Sequence, residues 1–235
     1  MIAVPGWRPP LDITPSSVLA MWSAGLAAAS AVVAWWRVVG PGFVWLAGTV
    51  TLLLGIPAVL AGGGRWAVAG CVLVGIGTLL AATRAVVPLL AAGAVALTVA
   101  AVSDGGVVTS VTGAILLGGI TAEMMLGHWF LIDPRLPRRA LRRLDLIAGA
   151  GAVADPVALL LRGAVPWDGA DLAIGLGYLA LAATTLLLIG AVWSSLGEKG
   201  YPAVMSATGL SYLAVLTAIG ATVLGRLLAG GSVLG

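Results

Sequence analysis

The chain has 235 residues, of which 60% are hydrophobic and only 9% charged, against about 25% charged in an ordinary soluble domain. Its mean hydropathy is +1.12 and its charges stand between long apolar runs, so water cannot wet most of it; a soluble globular protein is excluded and lipid is the implied solvent. The net charge of +3 does not point to nucleic acid, because five of the twelve basic residues, Arg135, Arg138, Arg139, Arg142 and Arg143, fall in one short stretch of the kind that sets membrane topology.

In hydrocarbon every backbone polar group needs an internal partner, and these runs lack the two-residue alternation of a barrel. The expected fold is all-α: a polytopic transmembrane helix bundle of about eight spans, forming a single integral membrane domain over residues 1–235. Thirty-four glycines beside two phenylalanines and three tyrosines suit closely approaching membrane helices.

Residues 1–15 have no basic region followed by an apolar segment, and Pro5, Pro9, Pro10 and Pro15 favour extended backbone, so no cleaved signal peptide is expected. Apolar runs then predict spans at 17–36, 43–62, 66–83 and 85–102, each measured against a hydrocarbon core of about 30 Å. The third and fourth are short and separated only by Arg84. A tight hairpin is expected there, with a re-entrant or strongly tilted pair as the alternative. Cys71, the single cysteine, lies within the third run; it reads as packing and excludes a disulfide or a thiolate metal site built within this chain.

Further spans are predicted at 107–132, 144–161, 172–194 and 202–228, with Asp104-Gly105-Gly106, Pro134, Pro166 and Gly200 as punctuation. Trp35, Trp36, Trp45, Trp66, Trp129, Trp167 and Trp193 fall near span ends, where an indole matches the headgroup zone. The arginine stretch places loop 133–143 in the cytoplasm by the positive-inside rule. Alternation adds Arg37, Arg84 and Lys199 to that side. It leaves Arg8, Arg65, Arg162 and Arg226 outside with Asp104, Asp168 and Asp171, and both termini extracytoplasmic, in a multi-pass protein of the cell membrane.

Chemistry concentrates in the fifth and sixth spans. Glu123 lies nine residues before Ile132, about 13 Å inside its helix end, where a carboxyl must be protonated, paired or wetted. Gly119 and Gly127, one turn either side, leave a narrow face that suits another helix. Asp155, eleven residues beyond Leu144, is expected at a similar depth on the antiparallel neighbour, about 16 Å from the same surface. Pro156 follows it and is expected to kink or unwind the helix. Glu123 and Asp155 are therefore candidates for a proton relay or coupling site, sharing a proton if they converge. The alternative is that each is hydrogen-bonded and structural.

His128, the only histidine, is turned about 140° from Glu123 on a regular helix. It is a candidate for proton entry, for a quinone or other cofactor contact, or for an axial ligand; the alternative is an interfacial residue bonded locally. One histidine excludes a bis-histidine haem within the chain; a haem would need a methionine or another subunit for its second ligand, and the cofactor stays open, with a quinone or haem shared with another subunit as one option. Arg135, Arg138, Arg139, Arg142 and Arg143, interleaved with Leu136, Leu141 and Leu144, can dock anionic lipid or a partner, although topology alone also explains them. No catalytic triad, paired metal-ligand motif or phosphate loop is present, and whether the chain is an enzyme stays open. Three readings follow, in order. The first is a membrane subunit of a proton- or electron-transferring complex of respiratory type, the second a proton-coupled small-solute transporter, the third a non-catalytic scaffold. The partners implied are the lipid bilayer and other membrane subunits, with no nucleic acid.

Overall fold

A computed structural model describes residues 15–102, 106–169 and 171–230; the readings on residues 1–14, which include Arg8, and on Asp104 lie outside them. The described residues form eight α-helices and no strand: α1 (Pro15–Trp36), α2 (Pro41–Leu60), α3 (Gly64–Leu79), α4 (Val86–Ala101), α5 (Val107–Ile132), α6 (Arg138–Leu161), α7 (Leu172–Ser195) and α8 (Tyr201–Gly230). The molecule is a helical membrane bundle. Six of the helices are long and apolar enough to cross a bilayer. The other two, α3 and α4, have 16 residues each, about 24 Å of rise.

The hairpin expected at Arg84 is present. Gly70 and Gly93 face each other so closely that a Cβ on either would lie 3.1 Å from the other's carbonyl oxygen, and Gly77 faces Leu89 and Leu90, so α3 and α4 run antiparallel from the turn at 80–85.

Two four-helix groups share one neighbour pattern. In the first, α1 packs on α2 and α4, α2 on α3, and α3 on α4; in the second, α5 packs on α6 and α8, α6 on α7, and α7 on α8. Helices α1 and α5 join the groups. Their backbones touch: a Cβ on Gly25 would lie 1.9 Å from the Ala114 carbonyl oxygen, and one on Gly118 would lie 2.0 Å from the Gly25 carbonyl carbon. Small residues at a parallel crossing let dispersion and weak polar contacts act between backbones, the usual source of helix association in lipid.

One end of the bundle is basic. The turns holding Arg37 and Arg84 line one cleft there, and Arg143 lies over the Trp36 ring at 5.5 Å. Arg138 donates hydrogen bonds to the carbonyls of Glu198 and Gly200 in the α7–α8 turn. Gly200, at φ 95°, makes that turn without the steric cost a side chain would bring.

The arginine stretch differs from expectation in one respect. Helix α6 begins at Arg138 rather than Leu144, so four of the five arginines stand on its first two turns and only Arg135 remains in the connection. Leu141 and Leu144, both buried, supply the apolar stripe that continues the helix down into the loop, while the arginines cover the outside. Trp35, Trp45, Trp66, Trp167 and Trp193 are exposed, as anchors at an interface would be. Trp129 is only partly exposed and stands edge-on to Phe43, ring centres 6.0 Å apart.

Candidate functional site

The antiparallel packing of α5 and α6 fixes which acids meet. A Cβ on Gly151 would lie 2.4 Å from the Leu116 amide nitrogen, and one on Gly119 would lie 2.9 Å from that of Ala148. Thr112 donates to Asp155 Oδ1 at 2.8 Å. In this register the residue opposite Glu123 is Leu144, and Asp145 stands beside it. Asp155 sits by Thr112 instead, eleven residues or about 16 Å along α5 from Glu123. The expected convergence of Glu123 and Asp155 does not occur. Their depths were matched by counting from Leu144, and α6 starts six residues earlier.

Two separate clusters result. In the first, Glu123 is fully buried. Its Oε2 is hydrogen-bonded to the Ser211 hydroxyl of α8, and Oε1 has no partner among the described residues. Gly127, one turn on, lies against Thr208 of α8, so the glycines flanking Glu123 let α6 and α8 close on either side of it. Asp145 is also buried, within electrostatic reach of Glu123, and its Oδ1 likewise lacks a donor. Sequence reasoning passed over Asp145 because it directly follows the arginines and reads as part of their polar loop. The signal available was its spacing, four residues after Leu141, which puts it on the same inward stripe.

In the second cluster Asp155, buried on α6, forms an ion pair with Arg226 of α8 and accepts the Thr112 bond. Arg226, assigned by alternation to the extracytoplasmic side, is 9% exposed and reaches inward between α1 and α5. Gly113 makes room, since a Cβ there would lie 2.5 Å from Met21 Sδ and 3.1 Å from Arg226 Nη2. The guanidinium Nε and Nη1 have no partner among the described residues. Tyr178 of α7 is fully buried, its hydroxyl in electrostatic reach of Asp155 and Arg226. It shares with Asp155, Pro156 and Thr185 a cavity of about 10 Å³, the least that accommodates one water. Helix α6 passes through Pro156 without unwinding.

His128 is exposed on the surface of α5 near the basic end and does not join either cluster. Of the arginines, Arg138 caps the α7–α8 turn, Arg142 lies over the Trp193 ring at 4.9 Å and Arg143 over Trp36, whereas Arg135 and Arg139 are exposed. Among the described residues no group of three or more His, Cys, Asp or Glu side chains is arranged to hold a metal ion.

The first cluster can bind a proton, and the second fixes a carboxylate and a guanidinium against each other across α6 and α8. Comparison of the chain with protein-family models, with curated proteins and with solved structures finds no match.

Proposed function

We propose that this chain is a proton-handling membrane subunit of a proton- or electron-transferring complex of respiratory type, with Glu123 and Asp145 holding one proton between them. The observation that carries the reading is a pair of buried carboxyls on α5 and α6, within electrostatic reach of one another, each with an oxygen that has no partner among the described residues. Neighbouring carboxyls in a low dielectric resist double ionisation, and an ionisable residue inside a membrane bundle is by default a functional one. The hydroxyl of Ser211 supports the same protonation. It lies 2.8 Å from the Ala207 carbonyl as well as against Glu123, and its single hydrogen serves only one of them. With that hydrogen on Ala207, a protonated Glu123 donates to Ser211 and both contacts of the Ser211 hydroxyl are satisfied.

In this reading the basic end faces the cytoplasm by the positive-inside rule. His128, about 7.5 Å along α5 from Glu123, passes protons in from that side or meets a quinone or a cofactor held with another subunit. Asp155, clamped by Arg226 and Thr112, is the fixed acid nearer the opposite end, and water admitted during turnover bridges the roughly 16 Å between the clusters. A proton-coupled solute transporter built on the same acids is the second reading; it would have to open without an unwound segment at Pro156, since α6 is continuous there.

The test is infrared difference spectroscopy of the purified protein in lipid across a pH step. A carbonyl stretch from a protonated carboxyl is expected, lost in Glu123→Gln and displaced in Asp145→Asn. A spectrum identical in wild type and both variants would overturn the proton site. Purification from the native membrane decides the subunit half of the reading: stoichiometric redox partners support it, and a solitary chain that moves protons in vesicles refutes it.

A further inference from the structure

The acid clusters lie in α5–α8, yet a larger cavity than the one beside Asp155 lies elsewhere. A cleft of about 480 Å³ opens at the basic end of the first group, between the α1–α2 and α3–α4 turns. Arg37 and Arg84 both line it, both are exposed, and no acidic residue occurs anywhere between 15 and 102 to neutralise them from within this group. The amino-terminal ends of α2 and α4 reach the same cleft through Gly40, Pro41, Val86 and Val87, and neither helix has a side-chain cap, so the positive ends of two helix dipoles add to the two guanidinium charges. Apart from Thr83 the rest of the side chains on the wall are apolar, among them Ala34, Val39, Val44 and Ala81, with the exposed Trp35 also lining it.

We propose that this cleft binds the headgroup phosphate of an anionic phospholipid, Arg37 and Arg84 holding the phosphate from opposite turns while the apolar wall takes the glycerol and the start of the acyl chains. The charge requires an anion. The apolar wall and the exposed indole select a membrane lipid over a free ion, because a small hydrated anion gains nothing from Val39 and Val44, whereas a lipid buries its backbone on them at the depth where indoles sit. Arg37 also occupies a backbone conformation that favours glycine, φ 52°, and keeps its charge at the cleft despite that strain. The site is separate from the acid clusters and does not depend on their role.

Native mass spectrometry of the full chain, delipidated and titrated with phosphatidylglycerol or phosphatidylcholine, tests the assignment. Wild type is expected to retain phosphatidylglycerol preferentially. The Arg37→Gln/Arg84→Gln double variant should lose at least about five-fold of that preference, the scale set by one interfacial basic residue. Arg65→Gln, which removes an exposed arginine at the opposite end of the same helix group, should leave it in place. Circular dichroism of the lipid-free variants shows whether the fold persists; should the double variant unfold, Arg84→Gln alone is read in the same way. A preference unchanged by loss of the cleft arginines overturns the proposal. So does displacement of phosphatidylglycerol by millimolar inorganic phosphate, which would make the cleft a free-anion site.

Discussion

Helices α1–α4 and α5–α8 are packed in the same neighbour order but bury different chemistry. The first group buries uncharged hydroxyls, most of which donate to a backbone carbonyl: Thr51 to Ala47 O and Thr78 to Val74 O, each at 2.8 Å, and Ser23 to the Thr51 carbonyl at 2.9 Å, while Ser30 has no partner among the described residues. The second buries Glu123, Asp145, Asp155 and Arg226. A hydroxyl has a hydrogen to give to its own helix one turn back; an ionised carboxyl has none, and inside a helix no amide is free to serve it. Each acid must therefore find its partner on another helix, which ties α5, α6 and α8 to one register, while the first group has close fit and neutral hydrogen bonds such as that of Ser23 to Thr51.

The comparison breaks most visibly at Arg226. In Arg226→Met, Asp155 stays buried without its counter-charge, and the loss of stability should be about 3–5 kcal/mol, read as thermal unfolding of the detergent-solubilised protein. Adding Asp155→Asn in the same chain should recover most of it. In the first group, Thr51→Val should cost no more than about 1 kcal/mol. A similar loss from Thr51→Val and Arg226→Met would remove the distinction between the groups.

The contact that joins the groups comes next. Gly25→Ala forces a Cβ onto the Ala114 carbonyl, so α1 and α5 must separate, with an expected cost of about 1–3 kcal/mol. Gly190 on α7 faces open space, and Gly190→Ala should leave stability unchanged or raise it by up to about 1 kcal/mol through helix propensity. If both glycines tolerate alanine equally, α1 and α5 are not the seam.

How much of this was legible in the sequence depends on the kind of signal. Span existence follows from apolar length, and α5 was bounded at both ends because Gly106, at φ 81°, and Pro134 punctuate it. Burial of Glu123 was legible too, since its flanking glycines mark a tight helix contact. Partnership was not. Nothing local says that Asp155 reaches Arg226, 71 residues away, because a charge near the end of a span reads as interfacial until a neighbouring helix is known to cover it. Asp145 was hidden by the arginines before it, and the same arginines moved the apparent start of α6 by six residues, part of the eleven that separate Asp155 from Leu144, the residue opposite Glu123. Register between helices is a three-dimensional quantity, and here single contacts such as Gly151 on Leu116 set it.

Within the second group the two acid clusters should themselves respond differently. Glu123→Gln keeps the size of the side chain and its contact with Ser211 and removes no counter-charge, so its effect on thermal stability should stay within about 1 kcal/mol, far below that of Arg226→Met. A loss as large as that of Arg226→Met would mean that Glu123 is held as a carboxylate by charge, and the shared-proton reading would fall.

The smallest effect separates stability from function in the first group. Arg37 ends α1 in the left-handed region, which costs a residue with a Cβ about 1–2 kcal/mol, partly offset for glycine by its freer unfolded chain. Arg37→Gly should therefore raise stability by roughly 0.5–1 kcal/mol in lipid-free detergent while weakening retention of phosphatidylglycerol. Opposite signs from one substitution would mean that the arginine is kept there for what it binds. If Arg37→Gly instead destabilises the protein, the guanidinium contributes to the fold through its own packing, and the strain at this turn is compensated within the chain rather than by a ligand.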